Sequence, residues 1–510
     1  ANAAERIDIS ANGDHATLFR DVGAITMDLH GIERIELAAL GGAGDGAADS
    51  VVVNGTAGDD HISVLSNGTS VVVQGLSADV IIDGAEAAND FLSILGLDGN
   101  DTIDASGLNP SQIRLFVDGG AGNDTIRASN GGDIILGGDG DDTIIGGTGD
   151  DHISGNAGDD VITGGGGNDI IDAGDGNDVI TTGGGVDFIQ GGAGDDRIES
   201  GGGHDTIEAG DGNDIVTGGA GDDVASLGNG DDRFIWNPGD GSDTVNGGTG
   251  FDTLTFNGAN VSEAIAITAN GPETLLTRDV GAITMHLADV DHIEVSTGGG
   301  TDDVTVNDLT GTGVKQVAID LAAFGTATGD GQADTVTVNG TADDDAITLT
   351  ASGSALTAGG LSEQVTIDHG EAGDHLTINA GAGNDTIDAS AIPAGTMGLT
   401  LNGGDGNDTF KLGAGNVLVN SGAGDDTFVF NFGHTENVVI EDFQVHTGGL
   451  HQADTIVLQG FSDHSFDQLV ANGHIFQSGA DVVISDGTHT FAALQNVSLA
   501  ALHANDFLFS

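Results

Sequence analysis

The chain has no cysteine and no tyrosine, and only one tryptophan, three methionines and four prolines among 510 residues. Without cysteine there is neither a disulfide framework nor a thiolate metal site, so a chain this poor in large apolar residues needs another form of stapling. Basic residues are nearly as scarce. Ten Lys and Arg stand against 81 Asp and Glu, a formal net charge of −71. That balance excludes nucleic acid and anionic membrane surfaces as partners. Long apolar runs are missing too, so no membrane insertion is expected. The opening ANAAERIDIS has neither a basic start with an apolar stretch nor an initiator Met, as expected of a processed or excerpted chain. The signatures HExxH, GxSxG and GxxxxGK(S/T) do not occur. Sixteen His are scattered, with His152 and His204 at solvated places of a repeat. Carboxylates are so abundant that no pair stands out as catalytic, and the chain reads as a non-enzyme.

What is present is glycine, aspartate and a regular scatter of Ile and Val. Glycine reaches 90, hydrophobic residues make up 38%, and Asp outnumbers Glu 68 to 13. Such a charge usually means disorder, but regular aliphatic spacing supplies a burial pattern that disordered chains lack. An ordered form then needs counter-ions, and Asp oxygens are hard-cation ligands.

A period of nine runs without a gap from Gly119 to Ile235, thirteen units beginning GGAGNDTIR, ASNGGDIIL, GGDGDDTII and GGTGDDHIS. The fourth place is always Gly and the sixth always Asp; the eighth is Ile in ten units, then Val216, Ala225 and Phe234. Neither a helical period nor strand alternation alone gives this spacing, so each unit combines a six-residue turn with a three-residue strand. Only the middle strand residue then points inward, with polar neighbours on either side. Two units make one coil, and coils stack at strand spacing. The sixth-place carboxylates therefore form two ladders. One edge carries Asp124, Asp142, Asp160, Asp178, Asp196, Asp214 and Asp232; the other carries Asp133, Asp151, Asp169, Asp187, Asp205 and Asp223. Two further units add Asp243 and Asp252. Like charges at about 4.8 Å repel unless a cation sits between rungs. Carboxylate and exposed glycine carbonyl oxygens suit Ca²⁺ better than the stricter Mg²⁺, and the gaps accommodate about eleven ions or more. Turn-making alone would tolerate Asn or Ser at the acid place, yet all thirteen units keep Asp.

These units resemble the GGxGxDxUx nonapeptides of RTX (repeats-in-toxin) proteins, a haemolysin-type calcium-binding pattern of type I-secreted bacterial proteins. The resemblance covers residues 119 to 255. It implies an all-β fold, a right-handed parallel β-roll or β-solenoid, with Ca²⁺ held by loop carbonyls and the sixth-place Asp of adjacent coils.

The flanks carry a longer duplication. ANAAERIDIS and DVGAITMDL recur as ANVSEAIAIT and DVGAITMHL at an offset of 258, SVVVNGTAGDD recurs as TVTVNGTADDD at 285, and GNDTIDAS recurs at 284. Alternating Val, Ile and Leu with little helical periodicity marks these as further β-solenoid or β-sandwich modules. A second in-register set, 403 to 429, supplies Asp408 and Asp426, with Val417 at the acid place between them. Single units at Asp60, Asp101 and Asp385 lack a neighbouring rung and leave ion binding open. The expected organisation is a first β module over 1–117, entered part-way through; the roll over 118–255; a second, homologous β module over 256–401; a short second block over 402–431; and a C-terminal β cap over 432–510. The ending DFLF resembles the cap and secretion signal of type I-exported RTX proteins, and an open solenoid edge needs a closing strand in any case.

The expected function is that of a secreted, extracellular or cell-surface calcium-binding scaffold or adhesin whose roll folds on meeting extracellular Ca²⁺. Its expected partners are calcium ions, the type I secretion machinery in transit, and further copies of itself or cell-surface components. The alternative is the secretion and folding-assistance region of a larger exoenzyme or toxin, and a free calcium buffer is a third reading that leaves the flanking modules unexplained.

Overall fold

The structure is a computed structural model that describes residues 5–12, 15–21, 25–30, 34–37, 48–326, 328–431, 436–446, 453–485 and 490–510. It divides into two compact units, Ala1–Asp252 and Thr253–Ser510.

In the first unit the nonapeptides build two parallel sheets from alternate units. Strands Ile134–Asp139, His152–Ala157, Ile170–Asp175 and Phe188–Ala193 belong to one sheet, and Thr143–Gly147, Val161–Gly166 and Val179–Gly184 to the other. Register advances by 18 residues per coil, Ile135 facing Ile153 and Ile153 facing Ile171. This is the parallel β-roll of two units per coil that the period of nine implies. The eighth-place side chains from Ile126 to Phe234 are all buried. They form two aliphatic columns, one on the inner face of each sheet.

Two features differ from the sequence reading. First, most of the strands have five or six residues instead of three, because the chain stays extended through the first places of the next unit. A second inward position results, filled by Gly146, Gly155, Ala173, Thr182 or Ser200. It is small because backbone from the next coil lies against it: a Cβ on Gly146 would meet Gly164 O at 2.8 Å. Second, the outer face is not uniformly polar. Ile134, Val161, Ile170, Val179 and Val224 at the seventh place are exposed.

The rest of each unit continues the solenoid with antiparallel excursions. In the first, Arg6–Asn12, His15–Arg20 and Ile25–His30 form a meander whose first strand pairs in parallel with Ser50–Asn54. In the second, Ala264–Asn270, Glu273–Arg278 and Ile283–Ala288 do the same against Asp303–Val306. The duplication extends to register, since Ile7 faces Arg20 as Ile265 faces Arg278. Ala414–Ala423 is a ten-residue strand, so Val417 lies inside it and is buried; no turn forms at that acid place. At the C-terminal end, helix Phe466–Asn472 is capped by Ser465 and by Gly473 at φ 73°. Phe507–Phe509, within the DFLF segment, pairs in parallel with Thr455–Gln459 as the closing strand.

This alternation makes a sharp mutational contrast. In calcium-saturated chain Ile171→Ala, at a fully buried position, is expected to cost about 2–5 kcal/mol. Ile170→Ala, one residue away and 46% exposed, is expected to cost under about 0.5 kcal/mol. Denaturant unfolding of the two variants checks the register, and equal losses would contradict it.

Candidate metal centres

Each sixth-place Asp closes a turn and opens a strand. The fourth-place glycine makes this possible: Gly140 sits at φ 128°, a conformation L side chains avoid, and a Cβ there would strike backbone of Gly122 and the Asn123 side chain. The turn thus brings Asp124, Asp142, Asp160, Asp178, Asp196, Asp214, Asp232 and Asp252 to one edge and Asp133, Asp151, Asp169, Asp187, Asp205, Asp223 and Asp243 to the other. All are buried.

The two oxygens of each carboxylate have different surroundings. Oδ1 accepts the backbone N–H of the Asp one coil earlier: Asp124 donates to Asp142 at 2.7 Å, Asp142 to Asp160 at 2.7 Å and Asp160 to Asp178 at 2.7 Å. On the other edge Asp133 donates to Asp151 at 2.8 Å and Asp151 to Asp169 at 2.9 Å. Among the described residues Oδ2 has no hydrogen-bond partner at Asp124, Asp142, Asp151, Asp160, Asp169, Asp178, Asp187, Asp196, Asp205, Asp214, Asp223, Asp232, Asp408 and Asp426. The hydroxyls beside two of them serve other acceptors, Ser200 the Gly218 carbonyl at 2.6 Å and Ser421 Asp442 at 3.2 Å.

An unpaired buried carboxylate oxygen is costly. The surroundings of Oδ2 consist of backbone oxygen and bare glycine. At Gly146, the space a Cβ would fill lies 2.5 Å from Asp151 Oδ2 and 2.8 Å from Gly164 O of the next coil. No three His, Asp or Glu side chains converge among the described residues. A cation held here would therefore be shared between carboxylate oxygens and backbone carbonyls, a hard, all-oxygen donor set that fits Ca²⁺. Asp133 is the exception: Ser129 donates to its Oδ2 from both N and Oγ at 2.8 Å. In the short block Asp408 donates to Asp426 Oδ1 at 2.9 Å, placing those two rungs together.

The ladders run beyond the nonapeptides. Asp101 and Asp385 are not lone units. Asp60 N–H reaches Asp101 at 2.8 Å, Asp101 N–H reaches Asp124 at 2.7 Å, and Asp345, Asp385 and Asp408 are linked in the same way. Glu263, Asp302, Asp334 and Asp374 form a further run, in which only Asp302 stands in a nonapeptide-like unit, TGGGTDDVT over 297–305. First rungs are closed by hydroxyls: Thr56 on Asp60 and Thr341 on Asp345, as Ser129 on Asp133. Last rungs are closed by amides, Glu86 on Asp90, Glu371 on Asp374 and Gln444 on Asp454. The signal in the sequence is an acid directly before each aliphatic strand, together with the unit TGGGTDDVT at Asp302. A second, exposed ladder at the fifth place runs the other way, Asn177 N–H to Asp159 and Asp195 N–H to Asn177, each at 2.8 Å. His204 serves it by accepting Asp222 N–H at 3.0 Å.

Burial raises many of the roll's rung carboxyls above their usual range despite the amide bonds that oppose it. Asp124, Asp160, Asp169, Asp178 and Asp214 are pushed up to about 6, and Asp142, Asp151 and Asp196 to about 7, neighbouring carboxylates adding to several of these shifts. A carboxyl raised on folding stabilises the fold below its unfolded value and loses that contribution as pH rises through its folded value. The chelator-treated chain is therefore expected to gain β structure by circular dichroism as pH falls from 8 through the folded-state values of about 6 to 7 towards the ordinary carboxyl range. A flat or opposite response contradicts the metal-free electrostatics. Asp160→Ala or Asp178→Ala is expected to raise the calcium midpoint well above that of Asp289→Ala, an exposed position off the ladders; equal effects in a calcium titration would remove the ladder from the account.

The RTX calcium-binding nonapeptide repeat family model matches residues 118–153, 145–180, 172–207, 181–216, 200–234, 238–255, 377–391 and 402–435. No curated protein matches the chain. Among solved structures the chain is similar to the extracellular lipase LipA from Serratia marcescens at 18% identity, over 71% of this chain, with a TM-score of 0.18. It spans 45% of the length of that lipase chain. The lipase likeness carries no argument about chemistry at that score; the repeat match and the paired Asp ladders do. Residues 118–234, 238–255, 377–391 and 402–435 are thus RTX nonapeptide repeats of the calcium-binding kind.

Proposed function

We propose that this protein is a secreted scaffold or adhesin of the bacterial cell surface or matrix, folded by extracellular calcium. The observation that carries the reading is the row of buried Asp Oδ2 atoms without a protein partner, repeated coil after coil. When bound, calcium supplies the positive charge and oxygen coordination that this row lacks. Rung residues Asp124 to Asp252, with Asp408 and Asp426, hold the ions, each rung bridging two coils through its Oδ1 bond to the preceding amide. Where calcium is scarce, uncompensated carboxylates oppose stacking and the chain stays open enough to be exported. At extracellular calcium, where such modules bind at about 10⁻⁴ to 10⁻³ M, binding free energy becomes folding free energy.

In this reading the duplicated modules extend the scaffold in sequence on either side of the calcium block at 118–255, the first over 1–117 and the second over 256–401, which leads to the block at 402–431. Residues 432–510 close the stack and carry the type I export signal. Support for the closing role comes from Phe507–Phe509 as the last parallel strand and from the Phe461–Phe491 and Phe466–Phe507 ring contacts, 5.1 Å each.

Two measurements test the proposal. Chelator-stripped chain titrated with Ca²⁺ and with Mg²⁺ is expected to pass steeply from coil to β by circular dichroism with Ca²⁺ only; a chain already fully folded without metal at pH 7.5 would end the folding-switch account. In a host with a type I secretion system, the full chain is expected in the medium and a chain lacking 432–510 inside the cell, whereas equal export of both would remove the signal from that segment.

A further inference from the structure

The run Glu263, Asp302, Asp334 and Asp374 begins with a glutamate, and its chemistry differs from every rung of the roll. Glu263 stands five residues after Gly258, as each sixth-place Asp stands after the first-place residue of its unit, often glycine. Its N–H donates to Asp302 Oδ1 at 2.9 Å, the ladder bond. The space a Cβ on Gly258 would fill lies 3.0 Å from Glu263 Oε2 and 2.8 Å from the carbonyls of Ser296 and Thr297 on the next coil. These are the surroundings seen at Gly146, a rung carboxylate oxygen and a first-place carbonyl one coil on. Here, however, the oxygen is taken. Arg278 Nε donates to Glu263 Oε2 at 2.9 Å and Nη2 to Oε1 at 2.5 Å, and Oε1 also accepts Ala259 N–H at 2.6 Å. Both side chains are enclosed, 4% exposed for Arg278 and fully buried for Glu263.

The arrangement recurs at the duplicated position. Arg20 Nε donates to Glu5 Oε2 at 3.0 Å and Nη2 to Oε1 at 2.5 Å, while Glu5 N–H donates to Asp49 Oδ1 at 2.9 Å. Arginine is suited to this substitution, since its charge does not titrate and its fork matches a carboxylate in two bonds. In a chain with ten basic residues, a buried one on a ladder is a notable use of a scarce charge.

We propose that the Glu263–Asp302 step is an ion position of the ladder whose cation is the guanidinium of Arg278. The meander Ala264–Ala288 delivers that cation, and this start of the second module holds without metal. The corollary is a masked calcium site: with Arg278 removed, Glu263, Asp302 and the Ser296 and Thr297 carbonyls form an all-oxygen cluster like those of the roll. The inference rests on the calcium reading of the ladders, yet the metal-free half of its test stands without it.

The experiment uses the full chain and three variants, Arg278→Ala, Arg278→Lys and Glu263→Gln/Arg278→Ala. It reads hydrogen exchange by mass spectrometry over residues 263–306 and calcium stoichiometry by equilibrium dialysis. In chelator, the unaltered chain is expected to keep 263–306 protected while residues 143–235 exchange freely. Arg278→Ala is expected to lose about tenfold or more of that protection, to regain it on adding calcium, and to bind about one further ion per chain. Arg278→Lys is expected to retain protection in chelator, and the double variant to regain none with calcium. An Arg278→Ala chain that stays protected in chelator overturns the proposal. So does one whose lost protection calcium does not restore, because a buried ion pair with only a packing role behaves that way. If the nonapeptides themselves bind no calcium, the unaltered chain shows zero stoichiometry and the proposed function fails. Protection of 263–306 in chelator then still decides the role of Arg278.

Discussion

The structure depends on a carboxylate divided between two tasks. Inside a ladder, Oδ1 of each rung Asp is bound to the amide one coil back, so the side chain works as part of the backbone ladder and fixes the spacing of successive turns. Oδ2 is left buried against glycine and carbonyl oxygen. The first task fits Asp better than the longer Glu, and all thirteen sixth places of the roll are Asp; the second leaves a charge at rungs such as Asp142 and Asp160 that no hydrogen-bond donor among the described residues balances. Periodicity, glycine placement and acid excess all follow from repeating that division every nine residues.

Much of this was legible in the sequence, for a physical reason. A period of nine with one aliphatic place admits few solutions, and two units per coil puts Asp124 opposite Asp142 and Asp133 opposite Asp151 whatever the details of the turn. The inward column from Ile126 to Phe234 was readable for the same reason. Strand length was not, because glycine at the first place gives no hydrophobic signal even when it is buried in a strand. Nor was the bond from each Asp amide to the next carboxylate, since a like-charge ladder suggests repulsion until the backbone donor is seen.

The longer coils hid more. Asp302, Asp334 and Asp374 are 32 and 40 residues apart, since loops and meanders of different length intervene, and no fixed period exposes them. Asp101 looked solitary for the same reason, although Asp60 and Asp124 stand on either side of it. The hydroxyl closures at Thr56, Ser129 and Thr341 are visible only in hindsight as a Ser or Thr four residues before an acid. They show that the chain itself distinguishes rungs that end a ladder from rungs inside one, using a neutral donor where no neighbouring carboxylate needs balancing.

The 18-residue register has a mechanical meaning. A stacked coil advances the roll by one strand spacing, about 4.8 Å, while the same residues drawn out span about 60 Å. Each coil of the roll is thus a spool that releases more than ten times its stacked height when it opens. Successive coils are joined both by parallel strand pairing, as Val161 with Val179, and by Asp–amide bonds such as Asp160 to Asp178, so the force at which a spool lets go depends on the two together.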